Sequence, residues 1–368
     1  MAEQRDLPRL SYNEFQNSVG WKVGSFPSEG QWELTFRCNY RCQHCYIPPE
    51  QLAGKIKDQE LTLPEVRAIL DQLREAGVLY LTFTGGDPLL RRDFLEIYLH
   101  AKKLAFFIVV LTNGSLVTDN IADAFQRYPP LQIEISLYGI TKETYETVTR
   151  IPGSFERCMQ GIRRLVEREI PLTLKTPGIN LLYPEILKMK AFARSIGAHF
   201  RFDPDITPRL DGSKAPLALR LTPDQIVALE YQDSKWRSDW RERFRDDCGT
   251  MSPPSSSVFP CSFGKKTFYI GPTGHMTHCH YVRQPSSDLR VHPVREAFEE
   301  IENQLQQLKQ PTNPHTCDSP NQCMRCPGRA LLEEGDPTKS VAYFCEVTEK
   351  RVEEKEKLYQ KDPTDVLC

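Results

Sequence analysis

Six short apolar runs, separated by amphipathic stretches, constrain this chain more than any other feature. They are WELTF (32–36), LYLTF (79–83), FFIVVL (106–111), LQIEISL (131–137), LTLKT (172–176) and HFRF (199–202). Each has the length and the β-branched and aromatic content of a strand. The helix signals between them are good. Thr62-Leu63-Pro64-Glu65 is a capping box ahead of VRAILDQLREAG, which stops at Gly77 as a C-terminal cap should. FLEIYLHAKKL, the SFERCMQGIRRLVERE run after Gly153 and PEILKMKAFARSIG supply further helices, with apolar residues near i, i+3 and i+4. Strands alternating with helices predict an α/β fold with a parallel sheet and right-handed crossovers. An open doubly wound sheet and a partial barrel satisfy this pattern equally.

The flanks divide the chain. Residues 1–30, with Pro8, Gly20, Gly24, Pro27 and Gly30, read as an N-terminal arm, and residues 31–205 as the core. Over 206–258 the rhythm breaks into PDITPRLDGSKAPLALRLTPDQI, where Thr222-Pro223-Asp224-Gln225 starts a helix, and then MSPPSSSVFP (251–260). The YQDSKWRSDWRERFRDD stretch between them reads as a solvated helical face. Residues 259–350 form a second unit, opening on the hairpin-like TFYIGPTGHMTHC, and 351–368 form a charged tail.

With 368 residues there is room for two modules, one of them large. The 47 basic and 49 acidic residues leave a net charge of −2, so neither nucleic acid nor an anionic membrane is a default partner. The polar start MAEQRDLPRLSYNEF lacks the apolar core of a secretory signal, and no apolar window is long enough to span a bilayer. Twelve cysteines without an export signal point to a reducing compartment, the cytoplasm, where Cys-x2-Cys patterns read as ligands rather than disulfides.

The densest of these patterns is LTFRCNYRCQHCYIP (34–48), with Cys38, Cys42 and Cys45 directly after the first strand. Thiolates this close select iron–sulfur clusters, zinc or copper(I). Zinc wants a closed set of four or an open site with histidine, and free cysteine is also a common core residue. Three ligands leave one corner of a cluster open.

The Cys-x3-Cys-x2-Cys spacing, with His44 before the last cysteine and Tyr46 after it, resembles the signature of the radical S-adenosylmethionine (radical SAM) enzymes. The resemblance implies a partial (β/α)6 TIM-like barrel, with the three cysteines at its C-terminal rim holding a [4Fe–4S] cluster. The open iron would chelate the amino and carboxylate groups of SAM, whose reductive cleavage yields a 5′-deoxyadenosyl radical. It further implies that Gly85, Gly86 and Asp87 of Thr84-Gly85-Gly86-Asp87-Pro88 bind the SAM amino group. Thr112 and Asn113 of a Thr-Asn-Gly motif would lie near its ribose and methionine end. Ser136 would reach the ribose or carboxylate, Lys175 would pair with the carboxylate, and His44 and Tyr46 would lie near the adenine. Read alone, the Gly-Gly-Asp-Pro segment is also ordinary turn chemistry.

The second concentration of cysteine, Cys261, Cys279, Cys317, Cys323, Cys326 and Cys345, resembles the SPASM extension of many radical SAM enzymes. That resemblance implies a small C-terminal cluster-binding domain of β-hairpin plus helix, carrying one or two auxiliary [4Fe–4S] clusters. A zinc ribbon is the structural alternative. Only six cysteines stand where that pattern has seven. Cys261, Cys279 and Cys326 would serve a proximal cluster, and Cys317, Cys323 and Cys345 a distal one. Cys248 could complete the first, and His315 or Asp318 the second; Cys248 could instead donate a hydrogen atom, as epimerising members require. Cys158 inside a helix and Cys368 at the terminus read as core and tail.

The function implied is hydrogen abstraction from a substrate C–H, with a flavodoxin-type reductase as electron donor. The expected substrate is a ribosomally made peptide undergoing crosslinking, oxidation or epimerisation. The alternative is dehydrogenation or epimerisation of a small molecule such as a sugar or aminocyclitol, and a non-catalytic electron carrier is a third reading.

Overall fold

The computed structural model describes residues 26–237, 258–259, 267–308 and 326–361. All six apolar runs are strands: β1 (Glu29–Thr35), β2 (Tyr80–Gly85), β3 (Phe107–Thr112), β4 (Gln132–Ser136), β5 (Leu172–Pro177) and β6 (His199–Asp203). They pair in parallel and in sequence order, with helices in the crossovers. The helices are α1 (Leu63–Glu75), α2 (Phe94–Lys103), α3 (Asp119–Arg127), α4 (Lys142–Thr149), α5 (Ser154–Glu167) and α6 (Ile186–Ser195). The capping box forms, the Thr62 amide donating to Glu65 Oε2 at 2.7 Å. Helices α3 and α4, absent from the sequence reading, start at Thr118 and Thr141, whose hydroxyls accept from the amides three residues on.

Side chains alternate across a strand, and the two faces of this sheet differ in kind. Trp32, Leu34, Phe83, Ile108, Ile133 and Ile135 point to the helices and are almost fully buried. Each contributes about 1.5–3 kcal/mol of hydrophobic stabilisation. The opposite face carries Thr82, Thr84, Glu134, Ser136, Lys175 and Arg201, which line a cavity. A polar inner face is a poor core and a suitable wall for a ligand.

The sheet does not end at the expected domain boundary. Strand β7 (Thr267–Ile270) pairs in parallel with β1, and β8 (His275–Thr277) and β9 (Ser286–Asp288) follow antiparallel, giving nine strands in one sheet. Gly30 makes the β1–β7 junction possible, since a Cβ there would lie 2.2 Å from the Phe268 ring. Among the described residues four more helices follow β6: α7 (Pro223–Gln232), α8 (Val294–Gln306), α9 (Pro327–Glu334) and α10 (Ala342–Lys361). The β7–β8 turn is sewn to the start of α1. Leu61 donates to the Pro272 carbonyl at 2.9 Å, and Arg290 pairs with Glu65 at 2.7 Å. Among the described residues no helix is long and apolar enough to cross a membrane.

Candidate active site

The loop after β1 places Cys38, Cys42 and Cys45 on the wall of a cavity of about 1080 Å³ at the C-terminal rim of the parallel strands. Three separate parts of the chain hold that loop. Cys38 donates to the Leu52 carbonyl at 3.1 Å, Arg41 and Gln43 donate to the Thr149 and Val148 carbonyls, and Leu210 donates to the Tyr46 carbonyl at 2.8 Å. Arg209 adds its guanidinium, Nε to the Cys45 carbonyl at 3.3 Å and Nη2 to that of Gln43 at 3.4 Å. Among the described residues no three His, Cys, Asp or Glu side chains converge closely enough for a single metal ion. Burial pushes the Cys38 thiol up to about 12, with the Asp87 charge adding to it, and Cys45 to about 11. Cys42 rises as well, first through burial. Any metal taken up here must displace these protons.

The Gly-Gly pair lies directly against this loop. A Cβ on Gly86 would stand 2.3 Å from the carbonyl oxygens of both Phe36 and Arg37, and one on Gly85, at φ +139°, would stand 2.0 Å from the Thr35 carbonyl. Only glycine lets the end of β2 pass so close to the root of the cysteine loop. Both glycines line the cavity.

Asp87 is fully buried and points elsewhere. Its Oδ2 accepts from Thr112 Oγ1 at 2.8 Å and from the Asn113 amide at 2.9 Å, while Oδ1 accepts from the Leu89 amide at 3.0 Å. Burial raises its pKa to about 6 against these hydrogen bonds. The carboxylate thus ties the ends of β2 and β3 together, and in this structure it is committed to those three donors rather than turned to the cavity. Asp87→Ala should strand three buried donors, each costing about 1–3 kcal/mol. Urea unfolding should show a loss on the order of 3 kcal/mol, and an unchanged midpoint would contradict the tie.

The other expected residues divide. His44, Tyr46, Thr112, Asn113, Ser136 and Lys175 all line the cavity. His44 is held neutral by burial, its pKa lowered to about 4, and its ring packs 5.3 Å from that of Tyr138. The Tyr46 hydroxyl donates to Glu33 Oε1, and Lys175 Nζ pairs with Asp203 at 2.9 Å. Cys279 and Cys326 line the same cavity, Cys345 is half-buried away from it, and Cys158 is core as expected. Cys248, Cys261, Cys317 and Cys323, with His315 and Asp318, lie outside the described residues.

Sequence reasoning missed Glu33. It is fully buried, accepts from Tyr46 and from Arg283 Nη1 at 3.3 Å, and has its pKa raised by that burial. Its signal was the polar alternate position within WELTF. Arg209 and His278 carried no motif.

Three thiols on the rim of an α/β sheet, with a glycine-lined cavity beside them, are an arrangement suited to a metal cluster with a ligand next to it. Residues 32–192 match the Radical SAM superfamily model. It is 24% identical over 329 residues to the AdoMet-dependent heme synthase of Methanosarcina barkeri, covering 83% of this chain and 92% of that protein. It is 31% identical over 166 residues to the PqqA peptide cyclase of Gluconobacter oxydans, 45% of this chain and 46% of that one. Its fold matches the crystal structure of Streptococcus suis SuiB bound to precursor peptide SuiA with a TM-score of 0.67, at 13% identity over 94% of this chain and 84% of that one.

Proposed function

We propose that the chain modifies a ribosomally made peptide by hydrogen abstraction at an unactivated carbon. Cys38, Cys42 and Cys45 hold a [4Fe–4S] cluster, and the donor set suits it: three soft thiols, a backbone cradle without Cβ atoms, and an adjoining cavity. The cluster and SAM supply the radical chemistry when bound. The residues' own work is to seat the nucleotide, exclude water and hold the target C–H in place. With Asp87 occupied, the SAM amino group meets the Gly85–Gly86 backbone, and Ser136 and Lys175 lie further along the same wall. The same reading gives one or two auxiliary [4Fe–4S] clusters, Cys261, Cys279 and Cys326 serving the first and Cys317, Cys323 and Cys345 the second where it is present. A flavodoxin-type reductase supplies the electron.

The observation that carries the peptide reading is the charge balance of the cavity. Its described Lys and Arg residues each have a carboxylate partner: Lys175 with Asp203, Arg201 with Glu134 at 3.3 Å, Arg329 with Asp205, and Arg351 with Glu230 at 2.6 Å. His278 and His280 are kept neutral by burial, lowered to about 4 and about 3. A polyanion would have to break these pairs, whereas a peptide backbone would not. The extended match to a heme synthase supports a second reading, a tetrapyrrole substrate.

With reduced, iron-loaded protein and SAM, a short peptide encoded beside the gene should stimulate 5′-deoxyadenosine formation. The peptide itself should lose two hydrogens by mass spectrometry, or change stereochemistry at one α-carbon. Turnover of a tetrapyrrole with the peptide untouched would overturn the reading.

A further inference from the structure

The Thr-Asn-Gly segment at the end of β3 is tied to the cysteine loop. Asn113 Nδ2 points at Cys38 Sγ, 3.8 Å away, and at Asn39 Oδ1, 2.8 Å away. Its Oδ1 accepts from the Ser115 amide at 2.9 Å and from Ser115 Oγ at 2.6 Å. Ser115 Oγ in turn accepts from Asn39 Nδ2 at 2.8 Å, which closes a ring of three side chains.

This ring fixes which way the Asn113 amide faces. A flipped amide would set its NH2 group against the Ser115 backbone N–H, donor against donor, and its oxygen against a sulfur that carries negative charge once it binds metal. The orientation is therefore imposed by a backbone donor that cannot itself rotate. Cys38 Sγ also accepts from the Tyr40 amide at 3.4 Å, so one sulfur of the three receives two N–H groups. Thr112 is similarly committed, donating to Asp87 and accepting from the Gly114 amide at 3.1 Å.

We infer that Asn113 is a potential-setting residue: its side-chain amide donates to the Cys38 sulfur and stabilises the reduced state of the cluster held there. The physical basis is general. Reduction adds negative charge that spreads onto the sulfurs, and an N–H aimed at a sulfur favours the more negative state. Asn39 and Ser115 are positioning residues that hold the amide. The inference rests on the cluster reading of the Cys38/Cys42/Cys45 site.

The test is a redox titration of the protein with its auxiliary cysteines intact, followed by electron paramagnetic resonance with SAM bound and absent. Iron content and the wild-type signal decide the cluster reading first. In a loaded Asn113→Leu variant, which keeps the volume and removes the donor, the ratio of reduced to oxidised cluster at a fixed poise should fall about tenfold. That fall corresponds to about 59 mV for one electron. SAM affinity should stay within about twofold, and an exchangeable hydrogen coupling that wild type loses in deuterated buffer should already be missing from the variant's cluster spectrum in ordinary buffer. Ser115→Ala, which loosens the amide without removing it, should shift the potential the same way by less, and it serves as the test if the leucine variant loads no iron. An unchanged potential in a loaded variant overturns the inference. So does a loss of SAM affinity at constant potential, which would assign Asn113 to the nucleotide instead.

Discussion

A Cys38/Cys42/Cys45→Ala variant should lose about four irons per chain and all formation of 5′-deoxyadenosine, because four irons make one [4Fe–4S] unit. Wild type should carry about eight to twelve irons if one or two auxiliary clusters are present, and the variant should keep the remainder. The expectation follows from the geometry of the loop. Its cysteines are anchored by backbone bonds to the Leu52, Thr149 and Val148 carbonyls and from Leu210, none of which involves a thiol. Removing the sulfurs should leave the loop and the fold in place, so the loss is one of metal and chemistry rather than of structure. Circular dichroism unchanged from wild type would establish this. Near-stoichiometric zinc in the wild type, with no cleavage of SAM, would sink the assignment of this site.

Gly85→Ala should be as damaging by another route. The added methyl would sit 2.0 Å from the Thr35 carbonyl oxygen, and the backbone at φ +139° is a region that side chains avoid. Neither obstacle is a flexible side chain that can swing aside; both are main chain. Strain and overpacking together cost on the order of 4 kcal/mol. Relief requires the end of β2 to move away from the cysteine loop, and Gly86, which donates to Thr35 at 2.8 Å, would move with it. The urea midpoint should fall and SAM affinity should fall with it. An alanine variant of native stability and native SAM affinity would show that the close approach of the two segments is dispensable.

Much of the fold was legible because the six runs obey simple periodicity and the capping box declares α1. The cysteine loop was legible because ligand spacing is local. What escaped depended on distance along the chain. The Gly-Gly-Asp-Pro segment offers a free carboxylate when read alone. Its commitment to Thr112 and Asn113 appears only once β3 is laid beside β2. Asn39 and Ser115 look like spacer residues until they meet across that same gap. Glu33 is the polar alternate in WELTF, just as Glu134 is in LQIEISL, but a strand middle carries no motif of the kind that marks a strand end. Arg209 and Arg283 reach the site from segments whose composition suggests linker and hairpin. Helices α3, α4 and α8 carry mixed charge that masks a narrow apolar stripe.

The pairing of β1 with β7 also bears on how the chain is made. β1 leads straight into the cysteine loop, yet one of its two neighbours is encoded more than two hundred residues downstream. On the ribosome that strand has one edge bare while the intervening residues are made, and such edges invite wrong partners. Closing so long a loop is also entropically slow. The cysteine loop is thus written early and buttressed late, and the seam is completed only once β7 has emerged.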